Sequence, residues 1–290
     1  MRRLTFPISD ADAGRTVDKL LRKQLSLSGT LVKRAKARAD GILLDGVPVF
    51  TNAVVQGGSL LSVSIGDTAS SDIAPIPAAL DIRYEDDDLL IVNKPAGLAV
   101  HPNALRKEDT LAAYVMDYYA KIGLVAAFHA VNRLDRGTSG LMVIAKHSHA
   151  HERLRLALHS GDFTRKYLAI CEGIPAEKSG TIDLPIAQIS PIKHAVCIDG
   201  KPARTQYRIL SVCGTRSLLS VTPETGRTHQ IRVHMAAIGC PLVGDFLYGT
   251  EDPNFPRRVA LYASFVRLRQ PITNAFICIS ENPFSTFSKG

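Results

Sequence analysis

The sequence predicts an α+β protein in two parts: a small N-terminal α/β module over residues 13–66 and, beyond a linker at 67–79, a larger domain over 80–282 on a mainly antiparallel mixed sheet. Three observations lead there. Two short, basic, amphipathic helical patterns precede a hairpin signal near the N-terminus. A small, polar, proline-containing stretch then interrupts the apolar periodicity. Past it, short apolar strand patterns outnumber helical ones without regular alternation, which favours an α+β layout over a doubly wound sheet.

In the N-terminal module, Val17, Leu20, Leu21 and Leu25 recur at helical spacing behind Thr16, a residue suited to cap a helix start. Leu31, Ala35 and Ala39 predict a second helix, which Gly41 would end. Ile42-Leu43-Leu44 and Val47-Pro48-Val49 flank Asp45-Gly46, the turn chemistry of a two-residue hairpin, and residues 60–65 predict a closing strand. Pro75 and Pro77 lie in the polar stretch 67–79, which reads as a linker between two independently moving parts. Strands are then expected at 89–92, 98–100, 141–145, 167–171, 205–212 and 217–222, and helices at 110–119, 148–159 and 228–238.

Charge is concentrated rather than spread. Residues 15–38 hold eight bases and one acid, so nearly all of the chain's net +8 lies in one short segment. Such a face is the electrostatic footprint of a polyanion partner, although a solvated helix surface gives the same pattern. Lys33, Arg34 and Lys36 are its candidate phosphate contacts. No apolar run reaches membrane-spanning length, and the basic N-terminus lacks a signal-peptide core, so the cytoplasm is the expected location. The five cysteines, Cys171, Cys197, Cys213, Cys240 and Cys278, are widely spaced and include no C-x-x-C pair, which indicates neither a disulfide framework nor a zinc cluster.

The stretch from Val131 to Lys146 carries the chemistry. Asp135 sits between Arg133 and Arg136 and runs through Gly137-Thr138-Ser139-Gly140 into the apolar Leu141-Met142-Val143-Ile144-Ala145. Flanking guanidinium groups favour the charged form of a carboxylate, and glycines permit a sharp turn or a close approach to substrate. Asp135 is therefore a candidate nucleophile or base, or an acid that simply pairs with a neighbouring arginine.

Asn132-Arg133-Leu134-Asp135 followed by Thr138-Ser139-Gly140-Leu141 resembles the catalytic motif of RluA-type pseudouridine synthases. Lys94-Pro95-Ala96-Gly97 with His101-Pro102, Lys166-Tyr167-Leu168-Ala169, and the segment from Gly226 to His234 agree with it, in the same order. Asn132 stands where the family usually has His. The basic helix pair and hairpin resemble an S4 RNA-binding domain. The resemblance implies a pseudouridine synthase fold and a reaction that breaks the glycosidic bond of uridine, rotates the held base and rejoins it through C5. That reaction rearranges atoms already present, so neither cofactor nor metal is implied.

The same resemblance assigns roles. Asp135 begins the reaction at the sugar, Tyr167 stacks on the flipped uracil where C5 is deprotonated, and Arg232 pairs with Asp135. Arg133 fills the space the base leaves when it is taken out of the stack. Lys94, His101, Arg227 and His229 would lie at the RNA, with Arg227 a substitute for Arg232 or a phosphate ligand. On helical spacing, Ile231, Met235 and Ile238 share an apolar stripe while His229 and Arg232 project together on another face.

Ribosomal RNA is the favoured partner, transfer RNA the alternative, and a monomer the simplest state. Two other classes stay open on the residues: a non-catalytic RNA-binding protein, and a glycoside or nucleoside hydrolase pairing Asp135 with Glu224. The basic face argues against the hydrolase, since a small nucleoside needs no such surface. His147, His149 and His151 raise a metal reading through the i, i+4 pair, but Ser148 as the cap of a surface helix explains them more simply. Asp86, Asp87 and Asp88 read as a solvated turn.

Overall fold

A computed structural model describes residues 2–102, 109–253 and 258–287. The N-terminal part contains β1 (Arg3–Pro7), α1 (Val17–Lys23), α2 (Gly29–Lys36), β2 (Ile42–Leu44), β3 (Val47–Pro48) and β4 (Leu60–Ser64), with sheet order β1-β4-β2-β3. Thr16 caps α1 as expected, its hydroxyl accepting the Lys19 N–H. Asp45 and Gly46 both take positive φ, the geometry of the expected hairpin turn. Two details differ. Strand β1 went unread because a five-residue strand ending in Pro7 carries little signal; it pairs antiparallel with β4. Helix α2 ends at Lys36 rather than near Gly41. Gly41 serves a close approach instead, since a Cβ there would lie 1.8 Å from the Ala35 carbonyl oxygen.

The larger part follows as β5 (Ile82–Glu85), β6 (Leu89–Lys94), α3 (Leu111–Lys121), β7 (His129–Ala130), β8 (Ser139–Ala145), α4 (Ser148–Ser160), β9 (Thr164–Glu172), β10 (Ser179–Asp183), β11 (Ile186–Gln188), β12 (His194–Val196), β13 (Arg204–Cys213), β14 (Arg216–Pro223), α5 (Gln230–Ala237), β15 (Leu261–Arg269) and β16 (Phe276–Ser280). The main sheet runs β10-β13-β14-β9-β15-β8-β6-β5, with β16 on β15 and β7 on β8. Pairings are antiparallel except β15 with β8. This is the expected α+β, mainly antiparallel mixed architecture. Residues 98–100 form no strand; Ala99 makes only an isolated bridge to Thr110.

Both faces of the central strands are covered. Leu90, Val92, Met142 and Ile144 pack with α3 and α5 on one face, while Leu89, Ile91, Leu141 and Val143 pack with α4 on the other. That explains why β6 and β8 read as continuous apolar runs rather than alternating ones. Among the described residues no helix is long and apolar enough to cross a membrane.

The stretch expected to be a free linker is fastened. Asp67, 4 % exposed, accepts hydrogen bonds from the Ala127 N–H at 3.1 Å, the Ser148 N–H at 3.2 Å and His129 Nε2 at 2.6 Å. Ser71 accepts the Phe128 N–H, the Ile76 N–H donates to the Ala113 carbonyl, and Ile73 packs on the main core. Arg34 crosses the junction to donate to Ser148 Oγ at 2.7 Å and approaches Asp67. The Asp86–Asp88 turn joins the same seam. Asp87 is exposed, but Asp88 is buried and takes hydrogen bonds from Arg2, His147 and Gln270.

Burial pushes the Asp67 carboxyl up, but its hydrogen bonds with His129 and the backbone outweigh this and hold it at about 2. A depressed folded-state value contributes stability above the unfolded carboxylate range that is lost as pH falls through the folded value. Asp67→Asn should therefore cost about 2 kcal/mol at neutral pH. In urea titrations the difference from wild type should shrink as pH falls from about 4 toward about 2.

Candidate active site

The loop between β7 and β8 is held from several sides. Asn132 is buried and stitches it to the following strand, accepting the Val143 N–H at 2.8 Å and donating to the Leu141 carbonyl at 3.5 Å. The Asp135 carbonyl accepts the Thr138 N–H, and the Gly137 carbonyl accepts the Val259 N–H. Gly140, at φ +112, then brings β8 against β15 so closely that a Cβ would lie 2.5 Å from the Ala263 backbone. Only glycine fits there. Asp135 is thereby presented half-buried, its side chain 26 % exposed.

The opposite wall is the start of α5. Arg232 is buried and donates from Nε and Nη2 to the two oxygens of Asp245, at 2.8 and 2.7 Å. Its remaining Nη1 lies 3.6 Å from Asp135 Oδ2. His229 precedes the helix in the left-handed region, with Nε2 3.9 Å from the same carboxylate oxygen. The expected stripe is buried as well: Ile231 and Met235 are in the core and Ile238 packs against it.

Tyr167 comes from β9, 5 % exposed, and burial pushes its phenol up. Its side chain shares a cleft of 360 Å³ with Asp135, Arg232, His229, Arg133 and Arg227. This volume falls within the range of small-ligand sites. The structure thus brings Asp135, Tyr167 and Arg232 together from three separate segments. Glu224 borders the same cleft but pairs with Arg204 at 3.4 Å and accepts from Gln206, so it is not free to act as a second carboxylate.

The family model for RNA pseudouridylate synthases matches residues 88–237, a span that includes Asp135, Tyr167 and Arg232. An RNA pseudouridine synthase of Bacillus subtilis, YhcT, itself uncharacterised, is 35 % identical over 98 % of this chain and 94 % of its own length. The chain belongs to the RNA pseudouridylate synthase family. Ribosomal large subunit pseudouridine synthase D of Escherichia coli K12 is 40 % identical over 76 % of this chain and 72 % of its own. The solved structure of human RNA pseudouridylate synthase domain containing 1 matches with a TM-score of 0.58 at 26 % identity, covering 73 % of this chain and 88 % of that one. The chain is therefore an isomerase that converts uridine to pseudouridine in RNA.

Not every expected RNA contact of this pseudouridine synthase faces the cleft. Lys94 is wholly buried, donating to the carbonyls of Pro95 and Leu98 at 2.9 Å and Arg136 at 3.4 Å, so it braces the Asp135 loop from beneath instead of meeting RNA. Burial pushes its ammonium down to about 7, with the charge of Asp135 opposing and that of Arg136 adding to the effect. His101 is exposed, its ring edge against Phe128. Partial burial of its ring and the charge of Arg133 lower its pKa. Arg133 is exposed at the rim, and Arg227 is exposed while donating to the Pro202 carbonyl rather than reaching Asp135. Lys33 and Lys36 are exposed on α2, whereas Arg34 is turned inward to Ser148.

The histidine run is structural. His147, not Ser148, caps α4 through Nδ1 and donates from Nε2 to Asp88, and His151 stacks on His129 instead of sharing a ligand with His147. Sequence reasoning missed Asp245, Tyr248 and Gln230 as individuals. Gln230 organises the approach to α5, accepting from Thr225 Oγ1 and the Arg227 N–H while donating to the Arg204 carbonyl. The polar Asp245 and Tyr248 between Gly244 and Gly249, directly after apolar Leu242-Val243, were the available signal.

Asp245→Ala strands a buried guanidinium. It should cost about 3–5 kcal/mol in denaturant unfolding, because removing one partner of a buried pair leaves the other uncompensated. Pseudouridine formation by the variant should fall with it, even under conditions where the chain stays folded.

Proposed function

We propose that this synthase modifies uridines of large-subunit ribosomal RNA in the cytoplasm, with Asp135 initiating the reaction. The observation that carries this reading is the Asp135 carboxylate in a cationic cleft, within 3.6 Å of a buried arginine and sharing that cleft with a phenol. Asp135 attacks the sugar carbon or assists loss of a sugar proton, and the N1–C1′ bond breaks. The uracil, free but enclosed, rotates so that C5 faces the sugar. The C5–C1′ bond then forms as the Asp135–C1′ bond breaks, or as the abstracted sugar proton returns to the sugar; the C5 proton leaves on the side of Tyr167, and N1 ends protonated. Arg232 keeps the carboxylate oriented throughout.

Ribosomal RNA is favoured because the Escherichia coli relative is named for the large ribosomal subunit. The N-terminal part acts as an S4-like anchor, with Lys33 and Lys36 binding phosphates. Arg133 at the rim fills the gap left by the flipped base. One chain supplies both walls of the cleft, so a monomer suffices.

Pseudouridine mapping of total RNA tests the reading, using cells that lack the protein and are complemented with the natural chain or Asp135→Asn. Sites should return only with the natural chain; equal maps would leave an RNA-binding role without chemistry. For the anchor, Lys33→Gln with Lys36→Gln should flatten the log–log salt dependence of RNA binding by about 0.7–0.9 for each phosphate no longer neutralised. An unchanged slope would remove α2 from the interface.

A further inference from the structure

A group of side chains beside Asp135 has no part in the steps above. His229 stands at φ +56, a conformation uncommon for a residue with a side chain and often kept at functional positions. Its Nδ1 lies 2.8 Å from the Tyr248 hydroxyl, which already accepts the His194 backbone N–H at 3.0 Å. A phenol that accepts one N–H still has its own proton to give, and Nδ1 receives it in the tautomer that turns Nε2–H toward Asp135. The imidazole's own proton is then on Nε2, pointing at Asp135. The opposite tautomer would set a lone pair against the carboxylate. Burial also lowers the pKa of His229, which favours the neutral ring. His194 packs edge-on against His229 at 5.5 Å and the ring of Tyr248 at 5.6 Å, so the imidazole is fixed from two sides.

The 3.9 Å between Nε2 and Asp135 Oδ2 is too long for a direct hydrogen bond. It suits a hydroxyl oxygen about 2.8 Å from each, accepting from Nε2–H and donating to the carboxylate. Within a polynucleotide the O3′ and O5′ atoms are esterified and have no proton to donate. The uracil carries carbonyls and N–H groups but no hydroxyl. The ribose 2′-hydroxyl is the one group that both accepts and donates, and it adjoins the carbon at which the glycosidic bond breaks.

We propose that His229 and Asp135 together read the 2′-hydroxyl of the target nucleotide, making His229 the residue that selects RNA over DNA at the reacting position. The inference rests on the synthase reading, which sets the target sugar against Asp135. Tyr248 acts through His229 as a positioning residue, fixing which imidazole nitrogen donates.

The test uses the full chain and a synthetic RNA stem-loop containing a uridine found by the mapping experiment, alongside the same stem-loop with 2′-deoxyuridine at that one position. Wild type should bind the ribo form about tenfold more tightly, the scale of a missing hydrogen bond that leaves buried groups unpaired. His229→Asn tolerates the left-handed backbone, and its shorter amide falls short of the sugar; it should bind both forms within about twofold of each other. Tyr248→Phe should give an intermediate preference, with melting temperatures verifying that both variants fold. A ribo preference undiminished in His229→Asn would overturn the assignment. Failure of wild type to convert the ribo stem-loop would instead overturn the synthase reading, and this inference with it.

Discussion

Arg232 is a cation that water hardly reaches, and the cleft is arranged around that fact. A guanidinium 3 % exposed must be neutralised and hydrogen-bonded or it would not remain buried. Asp245, wholly buried, supplies a bidentate partner, and itself accepts the N–H groups of Leu247 and Tyr248. The third nitrogen faces Asp135, and the ring of Tyr248 lies 5.1 Å from the guanidinium carbon. Helix α5, the turn at 245–248 and the acidic loop therefore form one electrostatic unit. By contrast, the exposed pair of Arg22 with Asp18 on α1 has little leverage on the fold.

A second constraint works from below. Lys94 ends β6 and spends its three protons on backbone carbonyls, one of them at Arg136 beside the acid. The Gly97 N–H donates to that same Arg136 carbonyl at 2.7 Å, and Arg136 Nε donates back to the Gly97 carbonyl at 2.7 Å. The turn at 94–98 and the acidic loop are laced together by polar atoms rather than by apolar packing. The position of Asp135 is thus set by backbone bonding beneath it and by charge above it.

The features legible in the sequence were those whose cause is local. Asp135 stood out because its charges and glycines are contiguous, and the Asp45-Gly46 turn and the Thr16 cap because each is written in two or three residues. Lys94 was misread because Lys-Pro-x-Gly looks like an exposed turn, and only the fold shows three carbonyls converging on the ammonium. Arg34 looked like the charges beside it, yet it alone of the three candidates on α2 reaches Ser148. Arg232 was legible through the family resemblance, but its principal partner lies thirteen positions away in a segment with no period of its own. Strand β15 went unread because its first half is a run of buried apolar and small residues without alternation, and what defines it is pairing with strands about a hundred positions earlier.

The position of β15 has a bearing on how the protein comes into being. It lies between β9, which carries Tyr167, and β8, which follows the Asp135 loop, and it joins two halves of the sheet that, among the described residues, have no other hydrogen-bonded link in the strand order. On a ribosome, the strands of both halves are synthesised before residues 261–269 are. Pairings of such large sequence separation form late and slowly, because the loop-closure entropy precedes the reward. Until residues 261–269 pair, the nascent chain thus holds its acid and its phenol on separate pieces, and chemistry waits for β15 to join the two halves of the sheet.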